Sequence, residues 1–114
     1  MTERSYDPPE EPVVYEVFMT ESAKRTAESI VSRSDIAKIG KMLRLLDVVP
    51  EIGRVYDPYY EAAQLPFEAR VVHAGKYGIY YVVDDEKRTV IVFALENQRR
   101  NPLNRFYAIE PHDL

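Results

Sequence analysis

In this 114-residue chain the densest cationic chemistry lies near the C-terminal end, where Arg99, Arg100 and Arg105 fall within residues 97–109, a stretch with no Asp or Glu, and Phe106 and Tyr107 follow directly. Grouped guanidinium ions can clamp a phosphate through paired hydrogen bonds and neutralise a charged phosphoryl transition state. The alternative is a set of helix-end charges with salt-bridge partners. His73 closes a strand-like segment, where an imidazole either acts as general acid or base near neutral pH or is simply exposed. Six of the nine tyrosines form two groups, Tyr56, Tyr59 and Tyr60, then Tyr77, Tyr80 and Tyr81. Beside arginines such rings can stack nucleobases. Tyr77 and Tyr81 share one strand face and suit a core, which leaves Tyr80 on the other face to line a groove. Asp84, Asp85 and Glu86 read as the solvated tip of a hairpin rather than a metal site.

Other chemistries are excluded or disfavoured. The four glycines form no phosphate loop, and no HExxH, GxSxG or CxxC string occurs. There is no cysteine, so neither a disulfide framework, a thiolate metal site nor a cysteine nucleophile is available. The two histidines, His73 and His112, are far apart, and no metal or cofactor is expected. Fifteen Lys and Arg stand against 19 Asp and Glu, a net charge of −4. Residues 1–35 hold 4 basic and 8 acidic residues and residues 36–114 hold 11 of each, so the whole excess lies at the front. A local cationic patch therefore survives inside an acidic protein. No apolar run reaches the roughly 20 residues of a membrane span and no signal pattern opens the chain, so a cytoplasmic protein without membrane contact is expected.

The elements that position these residues follow from periodicity. Residues 1–12, with Pro8, Pro9 and Pro12 among acids, read as a flexible arm, and residues 13–114 as a single domain. Val13 to Met19 is β-branched and aromatic, a strand. Thr20, Glu21 and Ser22 offer a helix start, and Ala23, Ala27, Ile30 and Val31 share one helical face. Asp35 is placed as the N-cap of a second helix with Ile36, Ile39, Leu43 and Leu46 inward, ended before Pro50. Residues 50–64 form a long connection. FEARVVHA, KYGIYYVV and TVIVFALE then read as three meander strands, and Asn101-Pro102 opens a short C-terminal helix. The result is an α+β domain: an N-terminal strand and two helices packed on a mostly antiparallel four-stranded sheet whose opposite face stays partly open.

That order, with the strings LRLLDVVPEIG and FEARVVHAGKYGIYYVVDDEKRTVIVFALENQRRN, resembles the RelE/ParE superfamily of toxins from type II toxin–antitoxin modules over residues 13–107. The resemblance implies a toxin held inactive by a cognate antitoxin, nominally an mRNA endoribonuclease that works on the ribosome without metal or cofactor, by attack of a ribose 2′-hydroxyl on the adjacent phosphate. Carried over by position, the catalytic candidates are Arg70, His73, Arg99, Arg100 and Tyr107, and the RNA- or partner-binding candidates are Lys76, Tyr80, Arg105 and Phe106. The sequence departs from the family pattern at Gly78, where family nucleases commonly carry an arginine, and in its acidity. Both features motivate the alternative implied by the ParE-like members, inhibition of DNA gyrase by protein contact without catalytic residues. A degenerate member without toxicity is a third option.

Overall fold

The structure, a computed structural model, describes residues 14–58 and 65–99. Strand β1 (Glu16–Met19) leads into helix α1 (Glu21–Ser29), started by Thr20, whose hydroxyl accepts the N–H of Ala23 at 3.2 Å. The second helix, α2, spans Arg33–Leu46. Its N-cap is Ser32 rather than Asp35: the Ser32 hydroxyl accepts the N–H of Asp35 at 3.2 Å. Asp35 lies inside the first turn, where its acid faces the positive end of the helix and its carboxylate meets Lys76 Nζ at 3.5 Å. Of the expected inward residues Ala23, Ile30, Ile39 and Leu46 are buried, but Ile36 is exposed and Val31 is 91% exposed. Val31 lies beyond the end of α1, so helical periodicity no longer fixes its direction. Asp35 takes a buried position in the first turn beside Ile36.

Three meander strands follow: β3 (Arg70–Ala74), β4 (Tyr77–Asp84) and β5 (Thr89–Asn97). Gly75, at φ +63°, opens the two-residue β3–β4 turn, a position where a side chain would be strained. The sheet has five strands, not four, in the order β1-β5-β4-β3-β2. The additional strand β2 is only Arg54–Val55, antiparallel to β3, inside what reads as loop. Two residues give no periodicity to read, and their ladder partners Val71 and Arg70 are far along the chain. β1 pairs in parallel with β5, and every other pairing is antiparallel. The expected arm (1–12) and C-terminal helix lie outside the described residues.

The helices pack on one sheet face over Ile79, Tyr81, Val90, Val92 and Leu95. Alternation along β5 breaks at a bulge: Tyr80 faces Ala94 and Tyr81 faces Val92, so Phe93 is an additional residue. Phe93 and Ala94 therefore both land on the second face, beside Ala69, Val71 and Tyr80. This face is not left open. Tyr56, Leu65 and Phe67 pack over it, with Tyr56 edge-on to Tyr80 at 5.1 Å and Phe67 edge-on to Phe93 at 5.3 Å.

Candidate functional site

The β3–β4 turn end of the sheet gathers most of the described candidates. Register sets His73 opposite Gly78, and Gly78 opposite Glu96, in one row on the second face. Tyr80, two residues along β4 from Gly78, shares that face but is 1% exposed, so it is core rather than the lining of an open groove. Its hydroxyl accepts a long hydrogen bond from Gln98 Nε2 at 3.4 Å, and the same amide donates to the Glu96 carbonyl at 3.2 Å. Gln98 is held in turn by its backbone N–H on the Lys76 carbonyl at 2.8 Å.

Gly78 makes this packing possible. A Cβ there would stand 2.5 Å from Gln98 Nε2 and 2.9 Å from the Tyr80 ring. The volume that an arginine at this position would need is occupied by an amide and a phenol. Glu96, buried on the same row, adds a carboxylate where a phosphate ligand would need cations. Gln98 and Glu96 are residues that sequence reasoning missed. Their role arises only from the cross-strand register with Gly78.

Arg70 is elsewhere. It pairs with Tyr81, which places it on the helix side of the sheet, the face opposite His73. Its guanidinium donates to the Gly53 carbonyl at 2.7 Å, while the Gly53 N–H donates to the Tyr81 hydroxyl at 2.9 Å. Burial raises the Tyr81 phenol above its ordinary value, against the lowering effects of the Gly53 amide and Arg70. The surrounding depression is lined by Glu51, Glu68 and Asp85, an acidic rim. At Asp85 the carboxylate accepts the Tyr15 hydroxyl at 2.8 Å, and this bond raises the Tyr15 phenol as well. Arg70 thus fastens the connection after α2 to the sheet.

Lys76 is exposed and paired with Asp35. Arg99 is exposed just beyond β5, its N–H donating to Asn97 Oδ1 at 2.9 Å, at the same sheet end as His73. The structure brings His73, Lys76, Tyr80 and Arg99 to one end and separates Arg70 from them. Arg100, Arg105, Phe106 and Tyr107 lie outside the described residues. Among the described residues no group of three or more His, Cys, Asp or Glu could hold a metal ion. No described helix is long and apolar enough to cross a membrane.

The fold is shared with solved toxin structures. The toxin–antitoxin complex RelBE2 from Mycobacterium tuberculosis matches with a TM-score of 0.60 and 22% identity, over 75% of this chain and 99% of that one. The archaeal RelE–RelB complex from Pyrococcus horikoshii gives 0.59 and 14% over 77% and 99%, and the intact E. coli RelBE complex 0.56 and 21% over 75% and 99%. No curated protein matches in sequence. Residues 17–102 match the family model described as the ParE toxin of the type II toxin–antitoxin system parDE. With a match over most of its length, the chain belongs to the ParE toxin family of type II toxin–antitoxin systems.

Proposed function

We propose that this toxin component acts by gripping a protein target, in the manner of a ParE-like inhibitor of DNA gyrase, and that a cognate antitoxin neutralises it. The observation that supports this best is the packing at Gly78. Cleaving RNA by 2′-hydroxyl attack needs a base, an acid and cations converging within hydrogen-bond reach of one phosphate. Here Gln98 and Tyr80 fill the space at Gly78, Glu96 places a carboxylate in the same row, and Arg70 is on the other face of the sheet, bound to a backbone carbonyl. Recognition of a protein surface requires none of that convergence. The structural relatives crystallised with RelB-type antitoxins support an antitoxin partner for this chain too.

A second reading, mRNA cleavage on the ribosome, draws on the exposed Arg99 and His73 at one end of the sheet. Two assays on the purified full chain separate them: DNA supercoiling by gyrase, and cleavage of a translated mRNA on ribosomes. The proposal expects loss of supercoiling at stoichiometric toxin with transcripts intact. Cleaved transcripts with unimpaired supercoiling would reverse the assignment.

A further inference from the structure

The described residues begin at Val14, and the segment before it carries the acids Glu3, Asp7, Glu10 and Glu11 against the single base Arg4. Its Pro8, Pro9 and Pro12 lack the backbone N–H of a sheet ladder and suit an extended polyproline path, held through side chains. The place where this segment leaves the fold is fixed. The Tyr15 N–H donates to the Asp47 carbonyl at 2.8 Å, which sets Val14 beside the C-terminal end of α2. Val14 and Val48, the sequence neighbours of that bonded pair, are both exposed, as are Val49 and Ile52.

From this end of α2 a groove of about 250 Å³ runs back between the helix and β3, with an apolar floor at Met42, Leu45 and Ala74 and with Lys38 and Lys41 on its rim. Lys38, at the far end, lies against Gly75, where a Cβ would stand 3.3 Å from the lysine Cδ. No Asp or Glu lines the groove, in a protein whose net charge is −4. Both lysines are exposed, and among the described residues neither is paired with a carboxylate, since the single acid of α2, Asp35, is engaged by Lys76. Between Asp47 and Lys38 the helix axis covers roughly 14 Å at about 1.5 Å per residue. An extended segment at about 3.1 Å per residue sets Glu11 and Glu10 roughly 9–12 Å from Val14 and Asp7 roughly 22 Å from it. Those acids therefore reach both lysines, with length left for the bend at Val14. Tethering holds the segment at an effective concentration on the order of millimolar, so exposed ion pairs too weak to join separate molecules can retain it.

We propose that residues 7–13 of the chain itself fold back along α2 and occupy this groove, with Asp7, Glu10 and Glu11 on Lys38 and Lys41 and with the proline and valine side chains over Met42 and Leu45. The front of the chain is then an intramolecular cover on the cationic flank of the sheet. It keeps an apolar groove from solvent, and any acidic partner that seeks the same lysines must displace it.

The chain has no cysteine, so Ser5→Cys carries a single nitroxide label in the otherwise intact protein, and its effect on each amide signal is read by NMR. At low salt the amides of Lys38, Lys41 and Gly75 are expected to lose most of their intensity, while Glu86, in the turn at the opposite end of β4, keeps its own. The Tyr15 hydroxyl bonds to Asp85 at 2.8 Å, so an undocked segment starting there would broaden Glu86 at least as much as Lys38, and that result overturns the proposal. Salt at about 1 M, where the Debye length is about 3 Å, should restore the Lys38 signal. Lys38→Glu with Lys41→Glu should restore it already at low salt, and adding Asp7→Lys, Glu10→Lys and Glu11→Lys to that variant should bring the broadening back. Broadening that survives the lysine reversals, or fails to return with the second set, overturns the pairing. Broadening seen only between labelled and isotope-enriched copies in a mixture would assign the groove to the front of a second copy and overturn the intramolecular cover.

Discussion

The two faces of the sheet are both apolar, yet they are closed by different means. On the first, α1 and α2 bring a periodic stripe of side chains, with Ala23, Ile39 and Leu46 set against Ile79 and Val92. On the second no described helix lies. The cover comes from Tyr56, Leu65 and Phe67, residues of irregular connections, set against Tyr80 and the bulged Phe93. Aromatic rings close this second face, and Gln98 and Glu96 stand at its end. The comparison shows that one sheet can be closed on one face by helices and on the other by aromatic residues of its connections.

The strongest test of this comparison is stability. Phe93→Ala should cost about 3–5 kcal/mol, as much as Leu46→Ala on the helix face at about 2–5 kcal/mol, read by denaturant unfolding. A Phe93 loss under about 1 kcal/mol would mean that the second face is surface rather than core. Next comes the fastening of the connection after α2 to the sheet. A Cβ at Gly53 would stand 2.6 Å from the Tyr81 hydroxyl and 2.7 Å from the Val71 carbonyl, so Gly53→Ala should cost about 1–3 kcal/mol. If the melting temperature does not fall, the connection after α2 is not pinned as described.

Tyr81→Phe should cost about 1–3 kcal/mol by stranding the Gly53 N–H. It also carries a pH signature. Because the folded phenol is raised above its usual 10.0, the fold binds its proton more tightly than the unfolded chain does. That contribution is complete below pH 10 and is lost as pH rises through the raised folded value. The wild type should therefore lose stability with alkali more steeply than Tyr81→Phe, and parallel pH profiles would remove Tyr81 as the source. Gly78→Ala should cost about 1–3 kcal/mol, because the end of the Gln98 side chain can swing aside whereas the buried Tyr80 ring, 2.9 Å from the new Cβ, must shift. In a Gln98→Ala background the cost should shrink, and a double-mutant cycle without coupling would sever Gly78 from Gln98.

Much of the fold is legible in the sequence because its elements are long enough to show a period. Ala23, Ala27 and Ile30 mark α1, Ile39, Leu43 and Leu46 mark α2, and the three meander strands stand out as β-branched and aromatic runs between a glycine turn and a carboxylate turn. The N-cap of α2 is not legible because Ser32 and Asp35 both suit that role, and the bond from the Asp35 N–H to the Ser32 hydroxyl decides between them. The candidate site was less legible. His73, Lys76 and Arg99 share one end of the sheet, whereas Arg70 is on the opposite face from His73, because three steps along a strand invert the side-chain direction.

What the sequence determined by itself is the α+β order, the segregation of negative charge at the front, the family, and the glycine at position 78, since each is written in local composition and spacing. Tertiary structure alone decided the rest: the parallel β1–β5 pair, the two-residue β2, the bulge at Phe93, and the amide, phenol and carboxylate gathered beside Gly78. Each of these depends on register between strands distant in the chain. A one-residue change in register alters which side chains meet, and no local pattern encodes it.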